Sequence, residues 1–310
     1  MLKTALIGCG WIAGLRAKPG GDEVVTHAQA MRADGRFDLR WVHDISGEHA
    51  RSFTKEWGGE TCPSMRELLA HDPQRVVVAS STGAHLEALT AIVKNGKDLA
   101  VLCEKPVVGT LEELEKFHQL LKISKVPVLV NFPRRFDEAL SRLGARVRSG
   151  EFGRLKHFDV LTRQGLAHSG CHALDLLRQW GHPVAQVKMT GLTRKGVRGV
   201  EGVWDLVTEG GVLGDITLAD LDYGALEMTL TFEEGRIHIL NQGHRLLVQR
   251  ARESRDYPGF RMLEEELCEA TLRQAFRDLY RAFANPPADW LMILEGQLKD
   301  LELLLKAEMA

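Results

Sequence analysis

Thr4-Ala5-Leu6-Ile7 runs without a break into Gly8-Cys9-Gly10-Trp11-Ile12-Ala13. An apolar run leading at once into G-x-G-x-x-A reads as a strand, a tight turn and the start of a helix. Each small residue has its own reason. Gly8 makes the turn, Gly10 leaves backbone bare for a pyrophosphate, and Ala13 lets helix pack closely on strand. The free N–H groups and positive dipole end of the helix then face the phosphates. The segment Gly8, Gly10, Trp11, Ile12 and Ala13 is therefore the expected phosphate-binding turn for a dinucleotide.

The residues beyond the turn fit a nucleotide-binding domain. Apolar, β-branched runs recur at Phe37–Val42, Arg75–Ala79, Leu99–Leu102 and Val126–Val130. They lack strict alternation, as expected of strands buried on both faces of a parallel sheet. Helical patterns lie between them at His27–Ala33, Gly47–Trp57, Ala84–Asn95 and Leu111–Lys122. Thr110 with Glu113 is a capping box for the last of these, and Gly96 is placed to cap the third. Strand–helix alternation of this kind predicts a doubly wound Rossmann domain over residues 1–130.

Asp44 closes the second run, where a carboxylate accepts hydrogen bonds from the adenosine ribose. A carboxylate there repels a 2′-phosphate, so the reading is NAD, with NADP as the alternative. Asp44 lies 31 positions after Ala13, against ~20 in the usual motif. The excess falls on Arg16–Thr26, whose Pro19-Gly20-Gly21 reads as an inserted loop.

Beyond about residue 155 the texture changes. Runs at Val187–Arg194, Gly202–Val207, Gly214–Leu221, Leu226–Phe232, Arg236–Leu240 and Arg245–Gln249 read as successive strands, several alternating apolar with polar. Glu233-Glu234-Gly235 is the expected hairpin turn. Residues 131–310 are thus expected to form an α+β domain with a mostly antiparallel open sheet. Two helical stripes close the chain: Leu272, Phe276, Leu279 and Phe283, then Leu291, Leu294, Leu298, Leu301 and Leu305. Core packing is their expected job.

The composition bounds the partners. Of 310 residues, 40 are Lys or Arg and 42 Asp or Glu, a net charge of -2. So even a balance argues against nucleic acid or an anionic membrane as the main partner. No apolar run approaches the ~18 residues of a membrane span, and no basic stretch leading into an apolar one opens the sequence. Five scattered cysteines with no C-x-x-C do not make a disulfide framework. A reduced, cytoplasmic protein is expected. His168, Cys171 and His172 raise the idea of a metal, but neighbours on a helix point in different directions, and no metal is expected.

Four further motifs come in order: Thr82-Gly83-Ala84-His85, Cys103-Glu104-Lys105-Pro106, Asn131-Phe132-Pro133-Arg134-Arg135-Phe136 and Gly170-Cys171-His172-Ala173-Leu174-Asp175-Leu176-Leu177. In this order they resemble the glucose-fructose oxidoreductase, inositol dehydrogenase and rhizopine catabolism family (Gfo/Idh/MocA). The resemblance implies NAD(P)-dependent chemistry on sugars, nucleotide-sugars or cyclitols, and homodimers or homotetramers built through the C-terminal sheet. It implies that Lys105 touches the reacting hydroxyl and the nicotinamide ribose, with Thr82, His85, Glu104 and Pro106 among the cofactor contacts. It makes His172 the general acid–base or its partner. The chemistry agrees. A histidine titrates near neutral pH and an ammonium stabilises a developing alkoxide. Asp175, one helical turn on, is placed to orient the ring.

The chain departs from the family pattern in two places. His168 stands where relatives carry an Asp, and the segment between Lys156–Arg163 and Gly170 is short. These departures motivate a second reading, a catalytically altered NAD(P)-binding sensor, and leave open a non-redox reaction using the cofactor transiently. His168 is kept as a catalytic candidate. Arg134, Arg135 and Arg163 are candidates to recognise a carboxylate or phosphate.

Overall fold

Runs of β-branched residues bury both faces of a strand, and the first unit is built on them. The computed structural model of the chain describes residues 1–15, 24–95, 98–191, 193–197 and 200–309. Gly96 and residues 16–23 of the expected inserted loop lie outside the described residues. Two compact units form: Met1–Phe136 with Gln274–Leu298, and Asp137–Arg273 with Lys299–Ala310.

In the first unit the strands are β1 (Leu2–Ile7), β2 (Phe37–His43), β3 (Glu60–Thr61), β4 (Arg75–Val78), β5 (Ala100–Cys103) and β6 (Val128–Val130). They form one parallel sheet in the order β3-β2-β1-β4-β5-β6. This is the doubly wound order expected from the sequence, with its switch point between β1 and β4. Val76, Val77, Val78, Val101, Leu102 and Cys103 are fully buried, which explains the missing alternation. β3 is an addition to the expected strands; it is two exposed residues at the edge and carries no apolar signal.

The helices of this unit are α1 (His27–Asp34), α2 (Gly47–Trp57), α3 (Met65–Ala70), α4 (His85–Asn95), α5 (Leu111–Ile123) and the short α6 (Pro133–Phe136). Local chemistry sets their starts. Thr26, Ser46, Ser64 and Thr110 each accept a backbone N–H with their side chain. The capping box holds in a shifted form: Glu113 returns its carboxylate to Gly109 N at 2.8 Å.

The second unit opens with α7 (Glu138–Arg148), then β7 (Leu155–Thr162), α8 (Cys171–Gln179), β8 (Val184–Met189), β9 (Arg194–Lys195), β10 (Val200–Thr208), β11 (Leu213–Leu218), β12 (Leu226–Phe232), β13 (Gly235–Leu240), β14 (Arg245–Glu253) and β15 (Arg261–Ala270). The sheet order is β15-β14-β13-β12-β7-β11-β10-β8, with β9 on β10. Among the described residues of this sheet, only β7 and β11 pair in parallel. Along β12, Leu226, Met228, Leu230 and Phe232 are buried and the residues between them are not. That is the period-two pattern of a sheet covered on one face. The expected strand Val187–Arg194 is split into β8 and β9, and β15 has no sequence signal because Glu264, Glu265 and Glu266 interrupt any apolar alternation. Its backbone ladder to β14 holds this strand, and charge pairs flank it: Arg146 and Arg250 meet Glu266, and Arg142 meets Glu269 at 3.0 Å.

Two helices close the chain: α9 (Ala275–Ala284) and α10 (Trp290–Met309). The sequence pattern assigns all of 131–310 to the second domain, but α9 packs on the N-terminal sheet. Leu279, Tyr280 and Phe283 are fully buried in the same core as Leu6, Phe37 and Val42. Arg75 fixes the helix end, donating from Nε to Phe283 O at 2.9 Å and from Nη2 to Ala284 O at 2.5 Å. Among the described residues no helix is long and apolar enough to cross a membrane.

Candidate active site

The turn after β1 is shaped by its glycines for two different reasons. Gly8 has φ +92°, and a Cβ there would lie 2.4 Å from Ser80 N in the loop after β4. Only glycine lets the two loops approach so closely. At Gly10 a Cβ would meet nothing within 4 Å, so glycine keeps the backbone bare toward open space. Ala13 is fully buried, Ile12 half-buried and Trp11 74% exposed. The residues Trp11–Leu15 form a short helical turn.

Asp44 is tied to this turn more closely than the sequence implies. Its Oδ2 accepts Cys9 N–H at 2.7 Å and its Oδ1 accepts Ser46 N–H at 2.8 Å. One carboxylate thus joins the phosphate turn to the end of β2 and the start of α2. Burial, and then the Asp44 charge, push the Cys9 thiol up to about 12. Cys9 therefore stays a neutral thiol rather than a nucleophile.

Gly8, Gly10, Asp44, Ile45, Met65 and Ser80 line part of a cavity of about 460 Å³ at the carboxyl ends of β1, β2 and β4. Ser80 Oγ is buried and makes no hydrogen bond among the described residues. An orphaned hydroxyl beside a glycine with open space fits the phosphates and ribose of a dinucleotide. Ser80 is not among the residues the sequence singles out; its one signal there is its position after a buried strand.

The loops after β4 and β5 are joined by His85. Its ring is buried, with Nδ1 3.0 Å from Pro106 O and Nε2 3.0 Å from Ser80 O. Both nitrogens are engaged with backbone, so His85 braces the two loops that flank the cavity. Thr82 opens the turn before it, and its methyl lies 3.3 Å from where a Gly109 Cβ would stand. Lys105 is half-buried between Glu104 and the cis-peptide-linked Pro106. Glu104 is buried, and its carboxylate is directed to His27 at 2.9 Å and to Asn131. His27 escapes a reading of the sequence because, taken alone, it is one polar residue at a helix start.

In the second unit, β7 ends at Thr162 and a turn over Leu166–Gly170 leads directly into α8. The short connection expected from the sequence is present, with Gln164 and Gly165 at positive φ. Glu308 holds the turn by accepting Ala167 N–H at 2.9 Å. His168 is exposed on the turn, while His172 is half-buried in the first turn of α8 and Asp175 is buried behind it. Arg178, one turn further, makes a two-bond pair with Asp300, both at 2.7 Å. Arg163 donates from Nη1 to Leu221 O at 3.1 Å and Tyr223 O at 2.8 Å, so part of its guanidinium is spent on a loop. Arg134 and Arg135 belong to the first unit, half-buried on α6. Among the described residues no group of three or more His, Cys, Asp or Glu is placed to hold a metal ion.

Comparison with known proteins agrees with this fold. Residues 2–132 match the Gfo/Idh/MocA family model, described as an oxidoreductase family with an NAD-binding Rossmann fold. Glucose-6-phosphate 3-dehydrogenase of Bacillus subtilis is 31% identical over 168 residues, 54% of this chain and 44% of its own length. Myo-inositol 2-dehydrogenase of Thermotoga maritima is 24% identical over 222 residues, 71% of this chain and 65% of its own. The matches thus span less than two thirds of either relative. Among solved structures, UDP-N-acetylglucosamine 3-dehydrogenase from Acidithiobacillus ferrooxidans has a TM-score of 0.77 at 17% identity, covering 100% of this chain and 97% of that one. A 3-ketoreductase from Actinomadura kijaniata, solved with NADP, has a TM-score of 0.75 at 18% identity, covering 99% and 96%. At such identities the likeness is one of fold. The match over residues 2–132, seated on the nucleotide-binding sheet, identifies that part of the chain as the NAD-binding Rossmann unit of the Gfo/Idh/MocA oxidoreductase family.

Proposed function

We propose that the protein is a nicotinamide-dependent oxidoreductase moving a hydride between NAD and the hydroxyl-bearing or keto carbon of a sugar, nucleotide-sugar or cyclitol. The observation that carries this reading is the chemistry of the cavity in the first unit: bare backbone at Gly10, the unpartnered Ser80 hydroxyl and the Asp44 carboxylate. These residues would hold the phosphates and the adenosine ribose. When bound, the nicotinamide supplies the hydride acceptor or donor. The Asp44 charge favours NAD over NADP.

The chain's own residues handle the proton and the charge. Lys105, in the loop after β5, stabilises the alkoxide with its ammonium. His172 takes the hydroxyl proton during oxidation and returns it during reduction. His168 is a second titratable group, in place of the family's carboxylate. The names of the relatives point to polyhydroxylated rings, two of them carrying phosphate groups. Arg134 and Arg135 are suited to a phosphate or carboxylate on such a ring, and Arg163 retains donors beyond Nη1.

Exposed apolar side chains on the second sheet, among them Val203, Leu213 and Met262, favour self-association through that sheet. Five free cysteines favour a reducing, cytoplasmic setting. The test is a screen of sugars, inositols and their keto forms with NAD or NADH, monitoring nicotinamide absorbance. Turnover with a polyol and a loss of about a hundredfold or more in Lys105→Ala are expected. No turnover across the screen, or unchanged turnover in Lys105→Ala, contradicts the reading.

A further inference from the structure

Glu104 precedes Lys105 in the chain, and its side chain is built into a buried hydrogen-bond chain that the proposed chemistry does not itself use. Glu104 Oε1 meets His27 Nε2 at 2.9 Å and Asn131 Nδ2; Oε2 accepts Lys105 N–H at 3.3 Å. On the far side of the imidazole, His27 Nδ1 lies 2.8 Å from Tyr280 Oη. His27 and Tyr280 are both 0% exposed.

The donors have one self-consistent direction. The Asn131 amide N–H and the Lys105 backbone N–H can only donate, so Glu104 receives them as a carboxylate. His27 then donates from Nε2, which leaves Nδ1 as the acceptor for the Tyr280 hydroxyl. A neutral phenol, a neutral imidazole and an anionic carboxylate satisfy every contact. Burial acts on Glu104 to raise its pKa, but its whole interaction with His27, then the hydrogen bond from Asn131 and the Lys105 charge, outweigh it and hold the carboxyl below its usual range. Burial, and then the Glu104 charge, push the Tyr280 phenol well up, so it stays a donor. Cys103, the other titratable neighbour, is held as a thiol by the same two causes.

The framework around the chain is fixed. The Tyr280 ring packs edge-on to Phe37 at 5.0 Å and to Phe283 at 5.9 Å. The N-cap at Thr26 sets the start of α1. The Arg75 guanidinium sets the end of α9. A helix from near the end of the sequence thus supplies the last member of a hydrogen-bond chain that ends at the residue before Lys105.

We propose that Tyr280, His27, Glu104 and Asn131 form a positioning unit for Lys105, a directed hydrogen-bond chain that fixes a carboxylate beside the lysine and keeps its amine protonated. The inference rests on the proposed role of Lys105 at the reacting hydroxyl. None of the four residues touches the reacting atoms. A fixed negative charge nearby favours the charged form of its neighbour, and the Lys105 charge in turn helps to hold Glu104 ionised; an imidazole locked at both nitrogens cannot turn away from the carboxylate.

The test reads the lysine directly, in protein without cofactor or substrate. The pH dependence of Lys105 labelling by a small amine-reactive reagent is measured by peptide mass spectrometry, with exposed Lys116 as the internal reference. Glu104→Gln is expected to lower the pH midpoint of Lys105 labelling by about one unit. Tyr280→Phe, which keeps the ring packing, and His27→Gln are expected to lower it in the same direction by less, with Lys116 unchanged. Melting curves confirm that each variant is folded. Midpoints equal to wild type in folded Tyr280→Phe and Glu104→Gln overturn the proposal and leave a packing role only. The Lys105 reading fails by a different result, turnover that survives Lys105→Ala, so the two failures are distinguishable.

Discussion

His27 and Glu104 stand 77 residues apart in sequence and meet at 2.9 Å in the interior of the first unit. The contact pins the start of α1 to the end of β5. Those are the helix that comes after the phosphate turn and the strand that leads into Lys105. A carboxylate held ionised inside a core makes stability depend on pH in a definite sense. Its folded-state pKa is lowered, so its stabilising contribution is present above the ordinary carboxylate range and is lost as pH falls through it. Wild-type melting temperature should therefore drop on acidification from about pH 5 toward pH 3. Glu104→Gln should be destabilised by about 2 kcal/mol at neutral pH, with a shallower acid slope. Calorimetry across that range checks both. Parallel slopes would mean that Glu104 is not the titrating group.

The two glycines of the phosphate turn should separate when each is replaced. Gly8→Ala places a methyl 2.4 Å from Ser80 N at φ +92°. It should cost about 2 kcal/mol or more of stability. Gly10→Ala meets no protein atom within 4 Å. It should leave stability within about 0.5 kcal/mol and weaken NADH binding by about tenfold or more. Thermal melts with a fluorescence titration of NADH check the pair. Unchanged NADH affinity in Gly10→Ala would show that the cofactor does not approach that backbone.

Asp44 carries two jobs, so its removal should have two readouts. Asp44→Asn removes the charge and keeps one acceptor oxygen for the Cys9 or Ser46 N–H. Stability should fall by about 1 kcal/mol. The preference for NADH over NADPH should shrink by about tenfold, because the repulsion of a 2′-phosphate is gone. Titrations with both cofactors at one salt concentration check it. A preference that does not move would place discrimination elsewhere.

Much of this architecture is legible in the sequence, and the gaps have physical causes. β1, β4 and β12 are marked by apolar residues whose spacing tracks burial, and they appear within a residue or two of where the pattern puts them. The phosphate turn is readable because Gly8 answers to sterics that no other residue meets and Gly10 leaves its backbone bare. β15 is not readable, because its backbone ladder to β14 holds it and the arginines that flank it lie on other elements. Tyr280 can be seen near a helical stripe but not as belonging to the first unit. The hydroxyl of Ser80 and the imidazole of His27 acquire meaning only through neighbours on other elements. Single polar residues carry no period.

In the second unit, Arg178 and Asp300 anchor α8, which carries His172, to the middle of α10. Asp300 is 2% exposed. Arg178→Met removes two charge-assisted hydrogen bonds from that carboxylate and should cost about 3 kcal/mol. Replacing both, as Arg178→Met with Asp300→Leu, should recover part of the loss. Denaturant melts of the single and double variants give the coupling directly. Additive losses would show that the pair does not hold the helix.

Hydride transfer is the step on which the proposed function stands. The direct measurement uses NADH carrying deuterium at its transferable position, incubated with a panel of keto sugars and keto inositols and read by mass spectrometry of the products. The account predicts deuterium on the carbon of a newly formed hydroxyl with at least one of them, and about a hundredfold less label with Lys105→Ala. NADH that binds yet passes no deuterium to any of them, or equal labelling with Lys105→Ala, would contradict it.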